Sequence, residues 1–120
     1  MKTKILAMLS LATLLFFASC SKNGQDPKLT FTNNQTEGKA NANGEYTITG
    51  TLISEVNLDK VTLTKEGQNE PFYVDESEAK NKNEYNFSYL VTGISSNTYI
   101  ILNAYDQEGG KTTAKFLITN

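Results

Sequence analysis

The chain has 120 residues, enough for one domain, with 38% hydrophobic and 20% charged residues, ordinary proportions for a globular protein. It holds no histidine and no tryptophan, and all 11 basic residues are lysines, so bidentate guanidinium recognition of phosphate or carboxylate is out of reach. The net charge of −2, or −4 once Lys2 and Lys4 are set aside, argues against nucleic acid and against adhesion to anionic lipid by charge alone.

The chain opens on a secretory pattern: Lys2 and Lys4, then an apolar stretch from Ile5 to Ala18 broken only by Ser10 and Thr13. As a helix that stretch spans roughly 21 Å, short of the roughly 30 Å hydrocarbon core, so residues 1–19 read as a cleaved leader. Cutting before Cys20 puts Ser19 at −1 but Phe17 at −3, a poor fit to an ordinary secretory site. Cys20 is the chain's one cysteine, and an unpaired thiol in an oxidising compartment is a liability.

The segment FASC (Phe17 to Cys20), followed at once by the polar SKNGQDP, resembles the lipobox of bacterial lipoproteins. That resemblance implies a diacylglycerol on the Cys20 thiol, cleavage before Cys20 and acylation of the new amine. Each buried methylene contributes about 0.8 kcal/mol, and two or three acyl chains hold stably where one does not. Membrane lipid is then a partner through acylated Cys20. Ser21, standing where an aspartate favours inner-membrane retention, implies the outer membrane; the periplasmic or surface face stays open.

After the acylated cysteine, residues 20–28 read as a polar tether: Ser21 to Lys28 has no apolar side chain, and Gly24 and Pro27 disfavour regular structure. Fully extended, it reaches roughly 26 Å. Residues 29–120 form the domain, and its signal has period 2, which is strand.

Leu29 and Phe31 alternate with threonines, and a polar loop, NNQTEGKANANG, follows. Tyr46, Ile48, Gly50 and Leu52 then share a face opposite Thr47, Thr49 and Thr51. DKVTLTK points Val61 and Leu63 one way, and PFYVD is a short run opened by Pro71, as an edge strand tolerates. EYNFSYLV sends Tyr85, Phe87, Tyr89 and Val91 to one face. TYIILNAYD points Ile100, Leu102 and Ala104 inward, and KTTAKFLIT closes with Ala114, Phe116 and Ile118. About seven short strands joined by turn signals such as Lys65-Glu66-Gly67 and Gly109-Gly110, with no sustained helical period, predict an all-β sandwich.

GEYTITGTLISEVNLDKVTLT and YIILNAYDQEGGKTTAKFLIT resemble the bacterial immunoglobulin-like domains of envelope proteins. The pattern is carried by Gly50 inside a strand, the Leu58 to Leu63 run, and Ala104, Asp106 and Gly109 leaving the sixth strand. It implies an immunoglobulin-like β-sandwich, without the paired cysteines and core tryptophan of antibody domains. Thr98-Tyr99 is out of register with the sixth-strand tyrosine of fibronectin type III domains, which leaves the subtype open.

Without an imidazole, triads of the Ser-His-Asp or Cys-His kind are excluded, as are zinc sites built on His and Cys. Asp75, Glu76, Glu78 and Glu84 are the candidates for two-carboxylate hydrolysis; among neighbouring lysines they read rather as a solvated loop. Asp106 and Glu108 are the candidates for calcium, but Asp106 fits better as an acceptor of backbone N–H groups in its turn. No catalytic residue, metal or cofactor is expected. Tyr99 and Tyr105 fall on the face opposite the inward set of their strand, and Tyr73 opposes Phe72 and Val74. Lined up on adjacent strands, Tyr73, Tyr99 and Tyr105 would offer sugars a platform of rings. Three readings therefore stay open: a module for an envelope protein partner, gripped through a sheet edge or loop ends; a carbohydrate binder; and a carboxylate hydrolase. An exposed apolar edge, a single tyrosine patch, or two converging acids tells them apart.

Overall fold

The computed structural model describes residues 24–120; the leader and Cys20 lie outside the described residues. Eight strands follow in chain order: β1 (Lys28–Phe31), β2 (Glu37–Lys39), β3 (Tyr46–Ile53), β4 (Leu58–Lys65), β5 (Tyr73–Asp75), β6 (Glu84–Val91), β7 (Thr98–Asp106) and β8 (Lys111–Thr119). They make two packed sheets, ordered β1-β3-β6 and β2-β8-β7-β4-β5. The expected all-β sandwich is therefore present.

The alternation read in the sequence fills the space between the sheets. β3 contributes Ile48 and Leu52, β4 Leu58, Val61 and Leu63, and β6 Phe87, Tyr89 and Val91. From β7 and β8 come Ile100, Leu102, Ala104, Phe116 and Ile118, all of them buried. Each large apolar side chain so buried contributes about 1.5–3 kcal/mol. Within this layer Tyr73, Tyr89, Phe87, Phe31, Phe116 and Tyr46 form an unbroken row of rings, with neighbouring centroids 5.2–6.5 Å apart. Gly50 leaves the space this row needs. A Cβ there would stand 2.5 Å from both the Phe87 ring and the Thr30 carbonyl oxygen.

Two sequence expectations are corrected. The polar loop after Phe31 is not all loop: Glu37–Lys39 runs parallel to β8 as an eighth strand. It has no apolar alternation to announce it, because it is held by main-chain bonds. Leu117 N–H donates to Thr36 O at 2.9 Å and Ala40 N–H to Thr119 O at 2.8 Å. Gly38 lets it lie under the Tyr46 ring, where a Cβ would come within 2.3 Å. The second correction concerns the tether. β1 opens at Lys28, Pro27 is buried, and Gln25 N–H donates to Glu55 Oε1 at 3.2 Å. Residues 24–28 thus lie against the β3–β4 turn instead of hanging free.

Candidate functional site

The sandwich has two long sides, and they are finished differently. On one, the chain crosses from β1 in the three-stranded sheet to β2 in the five-stranded sheet. On the other, β5 and β6 end their sheets face to face. β6 is eight residues long and β5 only three.

The register shows which backbone groups of β6 are left over. Ser54 N–H donates to Asn83 O, so the alternating pairs Leu52↔Tyr85, Gly50↔Phe87, Ile48↔Tyr89 and Tyr46↔Val91 exchange the ladder bonds with β3. The N–H and C=O groups of Glu84, Asn86, Ser88 and Leu90 therefore point to the outer edge, where no strand among the described residues pairs with them. All four side chains are exposed, Leu90 at 59%. Across from it Phe72, just before β5, and Tyr73 and Val74 within it come to the surface at 40–46% exposure. A cleft of about 230 Å³ lies between, lined by Tyr73, Ser88, Tyr89 and Leu90.

One side-chain contact pins the two strands beneath this cleft. The buried Tyr89 hydroxyl donates to Asp75 Oδ2 at 2.7 Å. Oδ1 of Asp75 accepts the backbone N–H groups of Ser77, Glu78 and Ala79 at 3.2, 2.9 and 3.3 Å. Burial is the largest single influence on this carboxyl and pushes its pKa up. The bonds from Tyr89, Ala79, Ser77 and Glu78 together outweigh it and hold the group below the ordinary aspartate range. Burial, reinforced by the Asp75 carboxylate, drives the Tyr89 hydroxyl far above the usual tyrosine value, and the same two causes raise Tyr85. Asp75 is thus an ionised carboxylate saturated with donors. A general acid needs the opposite shift. Glu76, Glu78 and Glu84 are exposed, and none shares a buried site with it.

The three tyrosines singled out in the sequence do not converge. Tyr73 is registered against Leu63, which is itself opposite Leu102, so Tyr73 faces the inner side of its sheet and meets the Tyr89 ring at 5.6 Å. Tyr99 and Tyr105 share the outer face of that sheet but sit roughly 20 Å apart along β7. Lysines cover their rings: Lys60 and Lys111 lie 5.2 and 5.8 Å from the Tyr105 centroid, and Lys115 lies 5.5 Å from that of Tyr99. Asp106 accepts the N–H groups of Glu108 and Gly110 at 2.9 and 2.7 Å, as its turn position suggests. Among the described residues no cluster of three potential metal-ligating side chains occurs.

A second, more polar notch of about 340 Å³ is lined by Lys39, Asn41, Glu45, Tyr46, Thr47 and Leu90. Asn41 is occupied there in closing its own turn, accepting the N–H groups of Asn43 and Glu45 at 2.9 Å.

Sequence reasoning passed over the β6 edge. Its one signal was Tyr89 in the inward set, since a buried tyrosine hydroxyl demands a partner.

The chain matches no family model and no curated protein sequence. Among solved structures its fold is similar to the fibronectin(III)-like modules of CbhA from Clostridium thermocellum. The TM-score is 0.55 and the sequence identity 21%, over 82% of this chain and 48% of that one. The body is an immunoglobulin-like β-sandwich.

Proposed function

We propose that this chain is a lipid-anchored, non-enzymatic interaction module of a bacterial envelope, which holds a protein partner by strand addition along β6. The observation that carries the reading is the β6 edge. It runs for eight residues with outward N–H and C=O groups on every second one, beside a cleft lined by Tyr73, Ser88, Tyr89 and Leu90. Exposed edges of this kind are templates for an added strand, with main-chain bonds giving affinity and pockets giving specificity. The likeness to the fibronectin(III)-like modules of CbhA is in keeping with a domain that works by contact; a fold does not fix a function, and the site carries the argument. The anchor rests on FASC and the polar residues after Cys20, and the outer-membrane assignment on Ser21. Among the described residues no helix is long and apolar enough to cross a membrane.

A photocrosslinker placed at Ser88 in the native envelope tests the partner. It should trap one stoichiometric protein, whereas the same probe at Thr113 on the opposite sheet should not. Labelling with a fatty-acid analogue tests the anchor, with label and membrane partition both lost in Cys20→Ser.

A carbohydrate reading is the alternative, on Tyr99 and Tyr105. The exposure of Tyr99 favours it; the half-buried state of Tyr105 and the lysines over both rings oppose it. A glycan array with the unanchored domain separates the two.

A further inference from the structure

We infer that the segment received by β6 is cationic: an extended stretch of a partner protein with apolar residues at its centre and lysine or arginine beside them. This rests on the strand-addition reading above and adds the chemistry of the occupant.

The charge of the chain is concentrated at this edge. Residues 70–84 hold five acids (Glu70, Asp75, Glu76, Glu78 and Glu84) against two lysines, an excess larger than the −2 of the whole chain. These acids flank β5 and open β6 along the chain. Glu70 precedes β5, Asp75 ends it, Glu76 and Glu78 follow, and Glu84 opens β6.

Three of the nearby lysines are already engaged, while Lys39 shares a notch with Glu45 and Leu90. Lys80 is paired with Asp59 at 3.3 Å, and Lys82 lies 4.8 Å from the Tyr85 ring centroid. Lys65 donates to Thr92 O at 3.2 Å and sits over Phe72. Glu70, Glu76, Glu78 and Glu84 are exposed, with no ion pair among the described residues. Asp75 stays ionised through its hydrogen bonds and adds to their field.

Lysines gather instead on the outer face of the five-stranded sheet, over Tyr99 and Tyr105. A field so polarised draws a cationic segment to the cleft and speeds its arrival. It also disfavours a second copy of the chain as occupant, because pairing two β6 edges brings two acidic rims together. β6 itself carries neither lysine nor proline, the usual guards of an exposed edge.

The test uses residues 21–120, which contain every strand and every buried side chain described above. Three synthetic peptides share one core of alternating valine and threonine around a central phenylalanine, and are flanked by lysines, serines or glutamates. Binding is followed by amide chemical shifts. The lysine-flanked peptide should shift Asn86, Ser88 and Leu90, and should weaken roughly tenfold between about 50 and about 300 mM salt. The exposed double change Glu76→Lys, Glu78→Lys should weaken it about tenfold. Ser88→Pro should abolish binding while the protein still melts cooperatively, since the lost N–H points away from β3.

Equal binding of the serine- or glutamate-flanked peptide at β6 overturns the cationic requirement and leaves strand addition standing. A dimer that covers β6 overturns the inference in favour of a second copy. If none of the peptides reaches β6, both the inference and the reading beneath it fall.

Discussion

Where β1 gives way to β2, the sandwich is closed by main chain: one segment pairs first with β3 and then with β8, so hydrogen bonds run to both sheets. Where β5 meets β6, it is closed by side chains, the Tyr89 hydroxyl on Asp75 and the Tyr73 ring on the Tyr89 ring. Main-chain closure draws the layers tight enough that Gly38 and Gly50 are required. Side-chain closure leaves a cleft and a row of unspent backbone groups. The same fold thus has one side finished for stability and another left available for contact.

The sharpest way to break this contrast is to fill the tight side. Gly50→Ala puts a methyl group into the Thr30 carbonyl and the Phe87 ring, and should cost about 3 kcal/mol or more. A thermal melt should register that as a fall of more than about 12 °C. A fall of only a degree or two would mean that β1 is loosely held.

Next in size is the pin. Tyr89→Phe leaves the Asp75 carboxylate buried with one donor fewer and should cost about 1–3 kcal/mol. It also changes the pH profile in two ways. Because the folded pKa of Asp75 is depressed, the stability it contributes is present above the unfolded value near 4 and is lost as pH falls through the folded one. In Tyr89→Phe that loss should be smaller and should be complete at higher pH, because only the folded value moves. The raised hydroxyl of Tyr89 works in reverse: its contribution is complete below about pH 10 and is lost above it. This alkaline loss should diminish in the variant. Denaturant titrations from pH 2 to 11 measure both limbs, and an unchanged acid limb would remove the pin from the account.

Gly38→Ala is gentler, since the Tyr46 ring it meets is the far end of a half-buried side chain and can swing. The expected cost is about 1 kcal/mol. Its signature is local: the Leu117 amide, which donates to Thr36 O, should exchange faster with solvent while the β3–β6 amides keep their protection. The smallest effect belongs to the open side. Leu90→Ser should leave stability within about 0.5 kcal/mol, because the side chain is 59% exposed, yet it should weaken capture of the partner. A large stability loss would show that Leu90 belongs to the core.

How much of this could be read in advance depends on which interactions leave a local trace. EYNFSYLV and TYIILNAYD announce their inward faces because each buried residue has an exposed neighbour, and the structure follows that alternation. Glu37–Lys39 carries no such trace, being held by backbone bonds that any residue can make; Gly38 was the one visible mark. For PFYVD the alternation was correct but the facing was reversed: Tyr73, expected outward with Tyr99 and Tyr105, turns inward. Which side of β5 is inward depends on its register with β4, and Phe72, Tyr73 and Val74 all remain partly exposed on so short an edge. Asp75 looked like one solvated acid among several in DESE. Its burial comes from a hydroxyl in the other sheet, a contact between distant parts of the chain that no local pattern encodes. The candidate site was therefore the least legible part, being assembled from leftovers of two strands.

The packing of Pro27 and Gln25 against the β3–β4 turn has a geometric outcome. On the proposed lipid attachment, only residues 21–23 separate the acylated residue from the body, a leash of roughly 13 Å at most. The Glu84 end of β6 lies beside Ile53 at that same pole, while Leu90 rises roughly 20 Å higher along the strand. On that attachment the β6 edge would stand at a set height above the lipid, and a partner would be chosen by how far it projects as well as by its chemistry.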